Sequence, residues 1–372
     1  MSFLLVLWLI ITTAWATLAV YFGDSRSEKV QLIYSIVVAF FGLISIIGLL
    51  FIPSVSYWLL LIHGVIFLVV LLWWFNIKPS NNGNWQTDVS KLPYASIESN
   101  LVTVYDIRNF SYCSEFDFYP DYYNKTFDLN KLEGVDLFAV YWMGSAIAHV
   151  IMSFDFGDHN YLAISIEARK KKGISHSNIK GFFRQYELIY IVADERDVIG
   201  LRTNYRNNPP EHVYRYRIKA PKENIKRLFL SYIDRINSLY KKPVFYNSLL
   251  SNCTTLIWLQ NKVVNPGHIP FSWQILLSGY VPEHLYETGW LDQQLPFAEL
   301  KNRAYVNPLV KGHEISSLFS KIIRVQSGEN DSRHNALKYV TTKFNQASGN
   351  TEVPLRMEIA HVVRRWPHER II

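Results

Sequence analysis

Two cysteines among 372 residues are too few for a fold built on disulfides. They fall in no Cys/His spacing that makes a zinc site, and the chain carries no Walker loop and no dinucleotide fingerprint. No metal or cofactor is therefore expected. A zinc finger, an RNA-binding aromatic signature and a basic run of five or more are also missing, so nucleic acid is set aside as a partner despite a net charge of +7. Charge itself is missing from three early stretches: residues 3–22, 32–52 and 58–75 contain no Asp, Glu, Lys or Arg. Each approaches or reaches the roughly 20 residues needed to span a bilayer as a helix. The first lacks the basic leader of a signal peptide and is succeeded by further apolar runs, so it is read as a retained span. The third ends in Trp73 and Trp74, suited to the headgroup level.

The remainder of the chain is different in kind. Nearly all the net charge and much Tyr, Phe and Trp lie beyond "SNNGNW" (residues 80–85), a polar linker. A basic face next to a bilayer favours anionic headgroups. Apolar or alternating runs predict strands over 101–107, 135–142, 147–156, 161–167, 188–193 and 212–218. Helices are predicted over 221–240, 253–263 and 271–280, the first with Pro221 in its opening turn and Ile225, Leu228, Phe229 and Ile233 on one face. Strands followed by helices indicate an α+β domain. The division is three membrane helices in 1–79, a domain in 80–310 and an extension in 311–372.

The stretch "IAHVIMSFDFGDHNYLAISIEAR" places two chemical groups. Its even positions (Val150, Met152, Phe154; Leu162, Ile164, Ile166) are apolar, and both sets must share a face. A three-residue loop, Gly157-Asp158-His159, satisfies this and opposes His149 to Glu167; a five-residue loop would oppose His149 to Ser165. A carboxylate beside a histidine fixes its tautomer and raises its pKa, which suits a base. The alternative is a packed histidine and a solvated carboxylate. Arg169 shares that face if the strand continues, and would bind a phosphate headgroup or form a surface ion pair.

In "YNSLLSNCTTLIWLQNK", Asn252 or Ser251 is suited to cap a helix whose first turn holds Cys253. Free N–H groups and the helix dipole there stabilise a thiolate and an oxyanion. The alternative is a buried, inert cysteine. Cys113 has no evident base and is read as structural. His63 is read as a neutral histidine packed between membrane helices, and residues 194–197 (Asp-Glu-Arg-Asp) as a solvated charged turn.

Together "NFSYCSEFDF", "AHVIMSFDFGDHNYLAISIEARKKKG", "YELIYIVADERDVIGLR" and "YNSLLSNCTT", in that order, resemble the periplasmic domain of Lnb-type lipoprotein N-acyltransferases over roughly residues 84–290. The resemblance implies a permuted papain-like (NlpC-type) domain with an antiparallel sheet and a nucleophile helix, similar also to lecithin:retinol acyltransferase. It implies Cys253 as nucleophile and His149 as base, with Glu167 orienting the base. Asn252, Arg169 and Ser165 are the candidates for substrate binding. The implied donor is a phospholipid or the lipoprotein's own diacylglyceryl group. The implied acceptor is a lipoprotein N-terminus, at the outer face of a bacterial inner membrane. A papain-like peptidase or amidase acting on cell-wall peptide and a non-catalytic membrane-anchored module are the alternatives. Counting Arg26, Lys29, Lys78 and Lys91 places the domain in the cytoplasm. The resemblance places it in the periplasm, and the few charges involved yield to it.

Overall fold

The structure is a computed structural model that describes residues 2–23, 27–264, 269–311 and 318–325. Three helices open it: α1 (Ser2–Gly23), α2 (Glu28–Phe51) and α3 (Pro53–Asn76). All three are long and apolar enough to cross a membrane. Lipid supplies no hydrophobic drive between helices, so small residues and hydrogen bonds bring them together. On α2 the buried residues are Ser35, Gly42, Ser45 and Gly48. A Cβ at Gly42 would lie 2.2 Å from Thr13, and one at Gly48 2.0 Å from Leu59. His63 of α3 meets Thr12 Oγ1 of α1 at 2.9 Å, packed between helices as expected.

Ten strands come next: β1 (Tyr94–Glu98), β2 (Leu101–Arg108), β3 (Ser111–Tyr112), β4 (Phe118–Tyr119), β5 (Tyr122–Asp128), β6 (Gly134–Tyr141), β7 (Ala148–Asp155), β8 (Tyr161–Arg169), β9 (Glu187–Ala193) and β10 (His212–Arg217). Eight form one sheet in the order β1-β2-β9-β8-β7-β6-β10, with β5 on β2, and β3 and β4 form a separate ribbon. The pairings are antiparallel except the single contact of β2 with β9 at Arg108↔Ala193. Four more helices bear on the site: α4 (Asn178–Phe182), α5 (Glu195–Val198), α6 (Lys222–Lys241) and α7 (Cys253–Val264).

The alternation read from the sequence decides the layers. Even residues of β7 and β8 join odd residues of β6 in one core, over which α6 lays Ile225, Leu228, Phe229, Tyr232, Ile233, Ile236 and Leu239. Each such side chain stabilises the fold by roughly 1.5–3 kcal/mol. The opposite face is covered by α5, by the π-helical turn Leu201–Tyr205 and by the helix Phe319–Ile322, whose Phe319 is buried. The domain is therefore α+β with both sheet faces covered.

The structure departs from four expectations. Residues 194–197 are not a solvated turn: Glu195 and Asp197 are buried. Asp197 accepts from Arg108, from the Phe110 amide at 2.7 Å and from Tyr112 at 2.9 Å, while Glu195 accepts from Ser153. The run 271–280 is not one helix but two short turns, Trp273–Leu276 and Ser278–Tyr280, before a helix Val281–Glu287 with Pro282 near its start. Gly279 allows the break, since a Cβ there would lie 1.9 Å from the Ser145 carbonyl. Arg169 is buried rather than on a free face: it donates to the Val89 and Ser90 carbonyls and stacks on Trp85, fixing the linker to β8. Finally, β1 and β5 were not expected, being polar edge pieces with little apolar alternation. Of the C-terminal extension, residues 312–317 and 326–372 lie outside the described residues.

Candidate active site

The hairpin register is the one that the shared apolar face requires. β7 and β8 pair Asp155 with Tyr161 and Ile151 with Ser165, and the Phe156 amide donates to the Asn160 carbonyl at 2.8 Å across the three-residue loop. The same register continued places His149 against Glu167. The paired ladder stops at Ile151↔Ser165. Even residues of β7 turn their amides toward β8, so the next amide in line is that of Val150. That N–H is directed at the sulfur of Cys253, along with the amides of Thr254 and Cys253 itself. The thiol thus occupies the fork where the strands carrying His149 and Glu167 part.

Asn252 is what holds α7 at that point. Its Oδ1 accepts from the Thr254 and Thr255 amides at 3.0 and 2.9 Å, and from both threonine hydroxyls. This is a helix cap; the oxygen is taken up by the protein and is not offered to a substrate. Ser165 is likewise not a substrate contact. It is fully buried, sits 2.7 Å from His149 Nε2 and donates to Glu167 Oε1 at 2.8 Å. With its proton on Glu167, Ser165 can only accept from Nε2–H, which assigns the tautomer and leaves Nδ1 unprotonated. Glu167 Oε1 also lies 3.6 Å from Nε2. His149, Ser165 and Glu167 are one hydrogen-bonded chain.

Arg202, missed by the sequence reading, ends that chain. Its Nη2 is 3.1 Å from Glu167 Oε1 and its Nη1 is 3.1 Å from Glu211, which also holds Arg206 at 2.9 Å. Its only sequence signal is a lone cation in the otherwise uncharged "VIGLRTNY", and nothing local ties it to a carboxylate 35 positions away.

The electrostatics differ from the expectation that Glu167 raises the pKa of His149. Burial, then the Arg202 charge, push the imidazole down to about 3, and Glu167 only partly opposes them. Arg202 instead serves Glu167, holding its carboxyl below the usual range against burial. Burial also pushes the Cys253 thiol up, outweighing the three amides and Arg202. At neutral pH the site holds a thiol and a neutral imidazole, not a thiolate–imidazolium pair. Cys113 stands exposed at the end of β3.

An apolar pocket lies against β7 and α7. Its walls include Val150 and Thr254, the neighbours of His149 and Cys253, then Met152, Leu228, Ile257, Trp258 and Leu285. Among the described residues no group of three or more His, Cys, Asp or Glu side chains is arranged to hold a metal ion.

Residues 118–279 match the family described as the Lnb N-terminal periplasmic domain, a span that takes in His149, Ser165, Glu167, Arg202 and Cys253. No curated protein and no solved structure matches the chain. A region similar to that periplasmic domain family therefore follows three helices that are long and apolar enough to cross a membrane.

Proposed function

We propose that this protein is an acyltransferase of the bacterial inner membrane that N-acylates lipoproteins through a Cys253 thioester. The observation that carries the reading is the thiol's position. Its sulfur is met by the amide of Val150, the neighbour of His149 in the same strand, and Val150 and Thr254 also line the apolar pocket. Nδ1 of His149 takes the thiol proton as sulfur attacks an acyl ester of a phospholipid, or of the lipoprotein's diacylglyceryl group. The C–S bond forms and the carbonyl oxygen becomes an oxyanion, which backbone amides at the start of α7 stabilise. The ester C–O bond then breaks, and the leaving alkoxide takes the proton back from His149. The α-amine of the acceptor lipoprotein's N-terminal cysteine attacks the thioester carbonyl; the C–N bond forms, the C–S bond breaks, and His149 passes the amine proton to the departing sulfur. No cofactor enters this two-step covalent scheme.

Each protein group has a stated part. Ser165 and Glu167 keep Nε2 protonated, and so keep Nδ1 free to accept. Imidazolium forms only during attack, and Glu167 is then its counter-charge, with burial and Arg202 keeping the ring neutral in the resting state. The cavity suits an acyl chain. A peptidase would need a polar groove for its peptide, and the lining of this pocket is mostly apolar.

Mass spectrometry of lipoprotein N-termini from cells with wild-type or Cys253→Ala protein tests the proposal. Triacylated N-termini are expected with the wild type and diacylated ones with the variant. Unchanged N-acylation in the variant refutes it.

A further inference from the structure

Among the described residues, a short segment of the domain packs on the ends of α1 and α3. Phe183 packs on Phe22 and Trp74, with ring centroids 5.8 and 6.0 Å away. Next to it, Arg184 donates to the Trp74 carbonyl at 2.5 Å and to the Ile77 carbonyl at 3.3 Å, a cation at the C-terminal end of α3. These contacts fix segment 177–184 at the level where α1 and α3 leave the bilayer, marked by Trp73 and Trp74.

Directly beside them the surface turns apolar and uncovered. On α4, Ile179 is 54% and Phe182 44% exposed. The loop leading into Cys253 lies against α4: Ser248 Oγ donates to the Asn178 carbonyl at 2.7 Å, and a Cβ at Gly181 would lie 2.1 Å from that oxygen. From this loop Leu249 and Leu250 stand 44% and 68% exposed. Lys180 sits between Ile179 and Phe182 in the sequence, suited to a phosphate headgroup once the apolar side chains are immersed. Four large apolar side chains on two tied segments, continuous with the ends of two membrane helices, have the composition of an interfacial anchor.

We propose that α4 and the loop 247–252 insert into the lipid surface, with Ile179, Phe182, Leu249 and Leu250 among the acyl chains near the headgroups. The occupant is the bilayer that α1 and α3 already span. Immersion to ~5–10 Å, usual for such elements, seats the loop preceding the thiol at the depth of glycerol esters. This placement stands or falls apart from the acyltransferase reading.

The test uses the full chain in phosphatidylethanolamine–phosphatidylglycerol vesicles, with Cys113→Ser and Cys253→Ser as background. A bimane label is placed at Phe182→Cys, at Leu250→Cys, or at Glu223→Cys as control. Glu223 opens α6, whose other end accepts from Asn81 just beyond α3. At ~1.5 Å per residue the control lies roughly 25 Å along the helix from that junction. Spin-labelled lipid with the nitroxide high on the acyl chain should quench positions 182 and 250 several-fold more than position 223, and should shift their emission to the blue. Quenching at 182 and 250 equal to that at 223 overturns the proposal. So does excimer formation by pyrene at position 250 that scales with protein density, which would assign the patch to a second copy.

Discussion

Replacing Arg202 with glutamine tests the resting state of the site. The guanidinium sits 3.1 Å from Glu167 and, with burial, holds His149 at about 3. Two unit charges about 6 Å apart at an effective dielectric of about 20 interact by about 3 kcal/mol, roughly two pKa units. Without the cation the imidazole should titrate near ~5, since Glu167 then raises it against burial and Arg206 alone of the neighbouring arginines. Only neutral imidazole can take the thiol proton, so reactivity falls as pH drops through that pKa. The acid limb of the profile should therefore move up by roughly two pH units in the variant. The assay is the rate of Cys253 acylation by a chromogenic long-chain ester between pH 4 and 8, with Cys253→Ala as blank. Glu167→Gln fixes the sign: removing the carboxylate removes the one charge that raises His149, so its acid limb must not rise. A wild-type acid limb near 6.5, or an unmoved limb in an Arg202→Gln protein that still melts cooperatively, would refute the reasoning. The same shift makes a stability statement. His149 binds its proton more weakly folded than unfolded, so its contribution is full above about pH 6.5 and is lost as pH falls toward the folded value.

Two further outcomes are expected. Asp197→Ala should destabilise the domain by about 3–5 kcal/mol in urea unfolding, because it strands buried Arg108 and orphans the Phe110 amide; a loss below about 1 kcal/mol would contradict the burial argument. In intact cells a membrane-impermeant maleimide should label exposed Cys113 without permeabilisation, since the domain family is periplasmic. Labelling only after permeabilisation would restore the orientation that the flanking lysines and arginines favour.

Much of the site's framework was legible because it rests on short-range rules. A period-two alternation with one buried face leaves a single register for β7 and β8, and that register set His149 against Glu167. The membrane helices follow from length and the absence of charge, and the start of α7 from the capping chemistry of Asn252. The α+β class followed from strands preceding helices.

The rest depended on what the fold brings from a distance. Arg202 reaches Glu167 from a turn beyond the next strand, and the alternation that locates a strand face says nothing of which turn will cover it. Burial, reinforced by that cation, reversed the expected shift on His149. Arg169 and Asp197 look like surface charges in sequence because exposure is a property of packing, and both proved buried and fully engaged. Sequence determines which groups exist and which face of their own element they occupy. Only the folded chain sets how much water and which opposite charges surround them, and those two quantities decide protonation.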